Sequence, residues 1–130
     1  MIGSCIMAAA TIWVGPVGPA WEQAVDNAIV YWNEQGVVIE EVDYAMQAKV
    51  TVERLKMDKD IAGQTYRFKL PSGKPLGGRV WLNRVNLKPK ERDRIAAHEI
   101  GHALGFDHTG PGLMDEQASG WRLPKYKLCR

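Results

Sequence analysis

With 130 residues, 45% of them hydrophobic and 25% charged, the chain has the composition of one ordinary globular domain able to bury a core. Its net charge of +2, from 17 basic and 15 acidic side chains, is too small to argue for a nucleic-acid partner. No apolar run approaches the ~18 residues that a membrane span needs.

The stretch from Cys5 to Val17 is apolar enough to resemble a signal-peptide core. It lacks a basic start, however, and runs straight into a predicted first strand, Thr11 to Gly15. A mature or trimmed chain, or one made without a leader, is the expectation. Gly15-Pro16 and Gly18-Pro19 then break the chain, and Pro19 suits the first turn of a helix. In that helix Trp21, Val25, Ala28, Ile29 and Trp32 recur at helical spacing on one face, and Gly36 stands where a left-handed terminus is expected. The Trp-rich stripe reads as core packing against a sheet.

Strands are expected at Val37 to Val42 and at Ala48 to Leu55, followed by a polar, turn-like stretch from Lys56 to Gly63. Tyr66, Phe68 and Leu70 then alternate with Thr65, Arg67 and Lys69, giving a fourth strand with one polar face. Pro71 to Gly78 reads as a loop, and Val80 to Leu82 as part of a fifth strand. Pro89 opens a second helix that runs to about Leu104 and stops at Gly105. Beyond it little regular structure is expected, apart from a last turn near the C-terminus. This order predicts an α+β domain with two main helices on one face of a mixed sheet.

Cys5 and Cys129 stand near the two ends. One bridge closing almost the whole chain, which implies an oxidising compartment, and two free thiols are both open readings. Neither has CxxC spacing, which argues against a cysteine-rich zinc site.

The chemistry is concentrated in the second helix and just after it, in His98-Glu99-Ile100-Gly101-His102, Gly105 and His108. Four residues advance a helix by about 400°, so His98 and His102 share a face, with Ala96, Ile100, Ala103 and Leu104 on the other side. That leaves an apolar back for the core and an imidazole pair expected to face out. Gly105 lets the chain reverse, which would bring His108 round as a third ligand. The chain has 3 His in all, and every one lies between 98 and 108. Five fixed residue types at those offsets arise by chance on the order of once per ten million starts, at usages of a few per cent each. Three imidazoles plus a water make a catalytic zinc site, in which Glu99 would be the general base rather than a ligand.

The run His98-Glu99-x-x-His102-x-x-Gly105-x-x-His108, followed by Met114, resembles the zinc signature and Met-turn of the metzincin clan of metallopeptidases. It is most similar to the matrixins, over roughly residues 11 to 115. The resemblance implies a zincin-like, five-stranded twisted sheet whose antiparallel edge strand, here about Thr65 to Leu70, binds an extended peptide by strand addition. It implies one catalytic Zn²⁺ on His98, His102 and His108, Met114 as an apolar floor and a peptide or protein substrate, and it favours a secreted or extracellular location, which the residues themselves leave open; a monomer is expected. The strand register is open by one residue, so the cleft-facing backbone donor is either that of Arg67 or that of Phe68. Leu113 and the residues after Met114, with Trp121 as a further candidate, are expected to line a specificity pocket.

Departures are plain too. Matrixins usually carry Pro two residues after the turn Met, where this chain has Glu116, and they end in a further long helix. With no fourth His, a second, His-rich zinc site is excluded, while calcium is possible but not indicated. The rival readings are a zinc-containing domain of the same fold that binds peptides without cutting them and, less well supported, a structural zinc module. Glu99 argues against the first, since a binder has no need of a base.

Overall fold

A computed structural model describes residues 7–109, 112–115 and 118. Cys5, Cys129, Glu116, Trp121 and the turn expected near the C-terminus lie outside them. Five strands form one sheet: β1 (Met7–Val14), β2 (Val37–Glu41), β3 (Val50–Arg54), β4 (Gly63–Lys69) and β5 (Pro75–Leu82). Their spatial order is β2-β1-β3-β5-β4. The three pairs β1–β2, β1–β3 and β3–β5 are parallel, and β4 runs antiparallel to β5 at the edge. Two helices complete the fold, α1 (Pro19–Glu34) and α2 (Pro89–Ala103). Among the described residues no helix is long and apolar enough to cross a membrane.

Burial alternates along the central strands, as a sheet covered on one face requires. Ile12, Val50, Val52, Val80 and Leu82 are buried, whereas Glu53 and Arg79, on the other face, are exposed. The helices cover the buried side with Trp21, Ala24, Val25, Ala28 and Trp32 from α1 and Ala96, Ala97, Ile100 and Ala103 from α2. Their stripes meet, and the Trp32 indole N–H donates to the Ala97 carbonyl at 2.9 Å. Both helices open on proline, and Gly36 has a φ of 92°, the left-handed conformation expected after α1.

Three expectations need correction. The first strand begins at Met7 rather than Thr11, so much of the apolar run from Cys5 to Val17 is strand. A 3-10 turn at Ala45–Gln47, unsignalled by any periodicity, precedes β3. The fifth strand starts at Pro75, inside the expected Pro71 to Gly78 loop. Its glycines hid it, and they have a reason to be there. A Cβ on Gly77 would lie 2.1 Å from the Lys49 carbonyl oxygen, and one on Gly78 2.7 Å from that of Tyr66. The backbones of β4 and of the residue just before β3 come too close to β5 for a side chain.

Asn83, 3% exposed, ends β5 and anchors the stretch between β3 and β4. Its side-chain amide nitrogen lies within 3.1 Å of the carbonyls of Met57, Asp58 and Ile61, and its oxygen accepts from the Met57 N–H. Lys56 to Gly63 therefore has little regular structure yet is tied down at several points, and β4 follows from a fixed start.

Candidate metal centre

The three imidazoles converge. One nitrogen from each of His98, His102 and His108 lies within 4.8 Å of the other two, the one group among the described residues suited to hold a metal. His98 and His102 come from successive turns of α2. Gly105, with a φ of 111°, reverses the chain after the helix and brings in His108. A backbone bond from Phe106 N–H to the Gly101 carbonyl, 3.0 Å, closes the reversal.

Hydrogen bonds fix two of the three rings. His98 Nδ1 lies 2.7 Å from the Leu113 carbonyl oxygen, and His102 Nδ1 lies 2.8 Å from that of Phe106. A carbonyl can only accept, so both Nδ1 atoms carry a proton, and each ring turns its Nε2 inward. Those two Nε2 atoms are 3.1 Å apart. Two lone pairs facing each other at that distance would repel, so either a proton on one ring or a metal cation belongs between them. Zinc fits: ligands at 2.0–2.1 Å in a tetrahedral shell stand about 3.3 Å apart. Burial holds the pKa of His102 down to about 4, against the Phe106 carbonyl, which favours the charged ring, so a proton is poorly suited to that role at neutral pH.

Of the imidazole pair expected to face out, His102 is half-buried but His98 is only 5% exposed. The loop that supplies its carbonyl partner folds over it, while His108 is exposed. Met114 is fully buried beneath α2. A Cβ on Gly101 would stand 2.7 Å from both Met114 Sδ and Trp32 Cζ2, so the glycine of the motif is room for these two side chains. Trp32 also stacks on Phe106, with ring centroids 4.9 Å apart. Read from sequence as plain core, Trp32 underlies both the helix and the loop that carry the three histidines. Leu113 is 0% exposed, so its side chain is core rather than an open pocket wall, and its carbonyl is what reaches the site.

Glu99 points to the other side of the histidines, toward β4. Its carboxylate lies 2.7 Å from the Thr65 hydroxyl, which is also 2.9 Å from the Glu99 carbonyl oxygen. Burial pushes its carboxyl above the usual carboxylate range, opposed by the Thr65 hydroxyl and by His98 and His108. Along the same strand Arg67 pairs with Asp107 at 2.7 Å, tying β4 to the loop of His108. Thr65 and Arg67 were expected on the edge strand, Arg67 for its backbone donor, but the contacts of their side chains with Glu99 and Asp107 were not foreseen from the sequence. Each is an ordinary strand or loop residue until the topology sets β4 beside α2.

No protein-family model matches the chain. Its backbone is similar to that of two solved structures of myroilysin, each at a TM-score of 0.54, with 18% and 19% sequence identity. The matches cover 78% and 82% of this chain but 49% and 48% of the myroilysin chains, so it spans about half the length of the structures it resembles. Likeness at that identity shows the fold alone, an α+β architecture of one five-stranded mixed sheet and two helices.

Proposed function

We propose that this chain is a zinc-dependent endopeptidase that cuts extended peptide segments, with His98, His102 and His108 as metal ligands and Glu99 as general base. The observation that carries the reading is the pair of inward-turned Nε2 atoms held 3.1 Å apart with the third imidazole beside them. Zinc bound there would supply Lewis acidity, polarising a carbonyl and lowering the pKa of a water toward ~7.

The chain's own residues do the rest. The Leu113 and Phe106 carbonyls keep the first two rings in the ligating tautomer. Glu99 takes the proton from the attacking water and returns it to the leaving amine, and burial, which raises its pKa, makes it the better proton acceptor. The open edge of β4 offers backbone groups to an extended substrate. Within the metzincins, the run from His98 to His108 with Met114 makes the matrixins the most similar branch. That finer reading rests on these motif residues.

The test pairs elemental analysis with a protease assay on a denatured protein mixture. We expect one zinc per chain, cleavage abolished by a chelator and restored by zinc, and a Glu99→Ala variant that keeps its zinc but loses activity by ~10² or more. A purified protein that neither contains nor takes up zinc would overturn the reading. A Glu99→Ala variant as active as the parent would remove Glu99 from the mechanism.

A further inference from the structure

Glu99 is the one proposed participant that no metal bond would hold in place, so something else has to aim its carboxylate. Two residues on the inward face of β4 stand against it. Gly63 lies beside the stem: a Cβ there would come 3.0 Å from Glu99 Cγ and 3.2 Å from Ile95 Cγ2. Thr65, two residues on and so on the same face, reaches the head of the side chain with its hydroxyl at 2.7 Å from Oε1. The same hydroxyl is 2.9 Å from the Glu99 backbone oxygen.

We propose that Gly63 and Thr65 form a seat for the general base, with Thr65 as a positioning residue whose hydroxyl pins the Glu99 carboxylate and Gly63 leaving room for its stem. This rests on the reading of Glu99 as the base. A threonine hydroxyl has one proton and two acceptor positions. With both Glu99 oxygens in reach, it donates to the carboxylate when that group is bare. After the carboxyl has accepted a proton, the hydroxyl accepts from it and turns its own hydrogen to the backbone carbonyl. One side chain can therefore hold the base in the same place before and after proton transfer. The preceding helical turn shapes the seat too, since Ile95 and Glu99 lie one turn apart on α2 and both face Gly63.

The deciding experiment compares zinc-loaded wild type, Thr65→Val, Thr65→Ser and Gly63→Ala in peptide cleavage, zinc content and crystal structure, with Glu99→Ala as reference. Valine keeps the shape of threonine and loses the hydroxyl, whereas serine keeps the hydroxyl. We expect Thr65→Val to lower kcat about tenfold or more with KM and zinc content unchanged, because small misplacements of a reacting group cost ten- to a hundredfold. Its Glu99 carboxylate should adopt more than one orientation. Thr65→Ser should recover to within about threefold of wild type, and Gly63→Ala should lower kcat with the hydroxyl still present. If wild type is active and Glu99→Ala is not, the inference alone falls should Thr65→Val match wild type in kcat with Glu99 unmoved. It falls equally if Thr65→Ser is as impaired as Thr65→Val, because packing would then be the cause. A zinc-loaded wild type that cuts nothing, or a Glu99→Ala variant as active as it, overturns the functional reading and this inference with it.

Discussion

His102 is neutral in the folded chain for two reasons, burial and the neighbouring imidazoles, and that neutrality has a consequence for stability. Its folded pKa is about 4 against an ordinary value of 6.5, so between those values the unfolded chain binds more protons. Stability should therefore fall as pH drops from 6.5 toward 4, and this contribution is complete below 4. Urea unfolding of chelator-treated protein at several pH values would show the slope. A His102→Gln variant that retains the whole of it would disprove the assignment. Gly101 makes a second residue-scale case. Gly→Ala in a helix interior normally gains about 1 kcal/mol. Here the added methyl would meet Met114 Sδ and Trp32 Cζ2 at 2.7 Å. Overpacking costs ~1–3 kcal/mol, so the steric term should win and Gly101→Ala should lower the urea midpoint at unchanged slope. A variant at or above the parent midpoint would mean that Met114 and Trp32 yield easily.

On the proposed reading, the element that would decide how substrate meets the site is β4. Asn83 N–H donates to the Ala62 carbonyl and Leu70 N–H to that of Lys74. In an antiparallel ladder the side that bonds alternates, so Gln64, Tyr66 and Phe68 face β5 with their backbone groups, while Thr65, Arg67 and Lys69 turn theirs to the open edge. Arg67→Pro should thus fold and weaken peptide cleavage, and Phe68→Pro should break a ladder bond and destabilise the sheet. Arg67→Ala serves as the control for loss of the Asp107 pair. Should Arg67→Pro fold and cleave as fast as Arg67→Ala, substrate does not use this edge. That choice was open in the sequence because alternation tells which side chains share a face, but not which edge of the strand is paired and which is open. The α2 motif was legible because chemistry fixes its residue types and helical geometry its spacing. The start of β5 was not, since Gly77 and Gly78 answer to the neighbouring backbones of Lys49 and Tyr66, which only the sheet order brings near. For the same reason Thr65 gave no sign of Glu99, 34 residues away. His98 was placed on the right helix face but taken as exposed, because nothing in the helix itself shows that Leu113 will fold over it.

At the scale of the whole molecule, the proposed metal would join the helix α2 to the loop beyond Gly105. His98 and His102 are built into α2 and anchored by backbone carbonyls, whereas His108 sits exposed on the loop beyond Gly105. That loop is held to the rest by the stacking of Phe106 on Trp32, by the Arg67–Asp107 pair and by the Thr109 N–H, which donates to the Met114 carbonyl at 2.7 Å. An exposed ion pair contributes ~0–1 kcal/mol, so three metal bonds should dominate the local energetics. A ligand that binds only the folded chain stabilises it by RT ln(1 + [L]/Kd), or ~4 kcal/mol at a thousandfold excess over Kd. For a chain of this size that raises Tm by on the order of ten degrees. Zinc added to chelator-treated protein should produce this rise, and magnesium should not, since the three donors are imidazole nitrogens rather than oxygens. His108→Ala separates the metal from the fold. Being exposed, His108 contributes little to packing, so the variant should melt at the parent's temperature in chelator yet lose most of the rise with zinc. If instead His108→Ala keeps the full zinc-dependent rise, the third ligand is not His108, and the loop after Gly105 must be held in place by protein contacts alone.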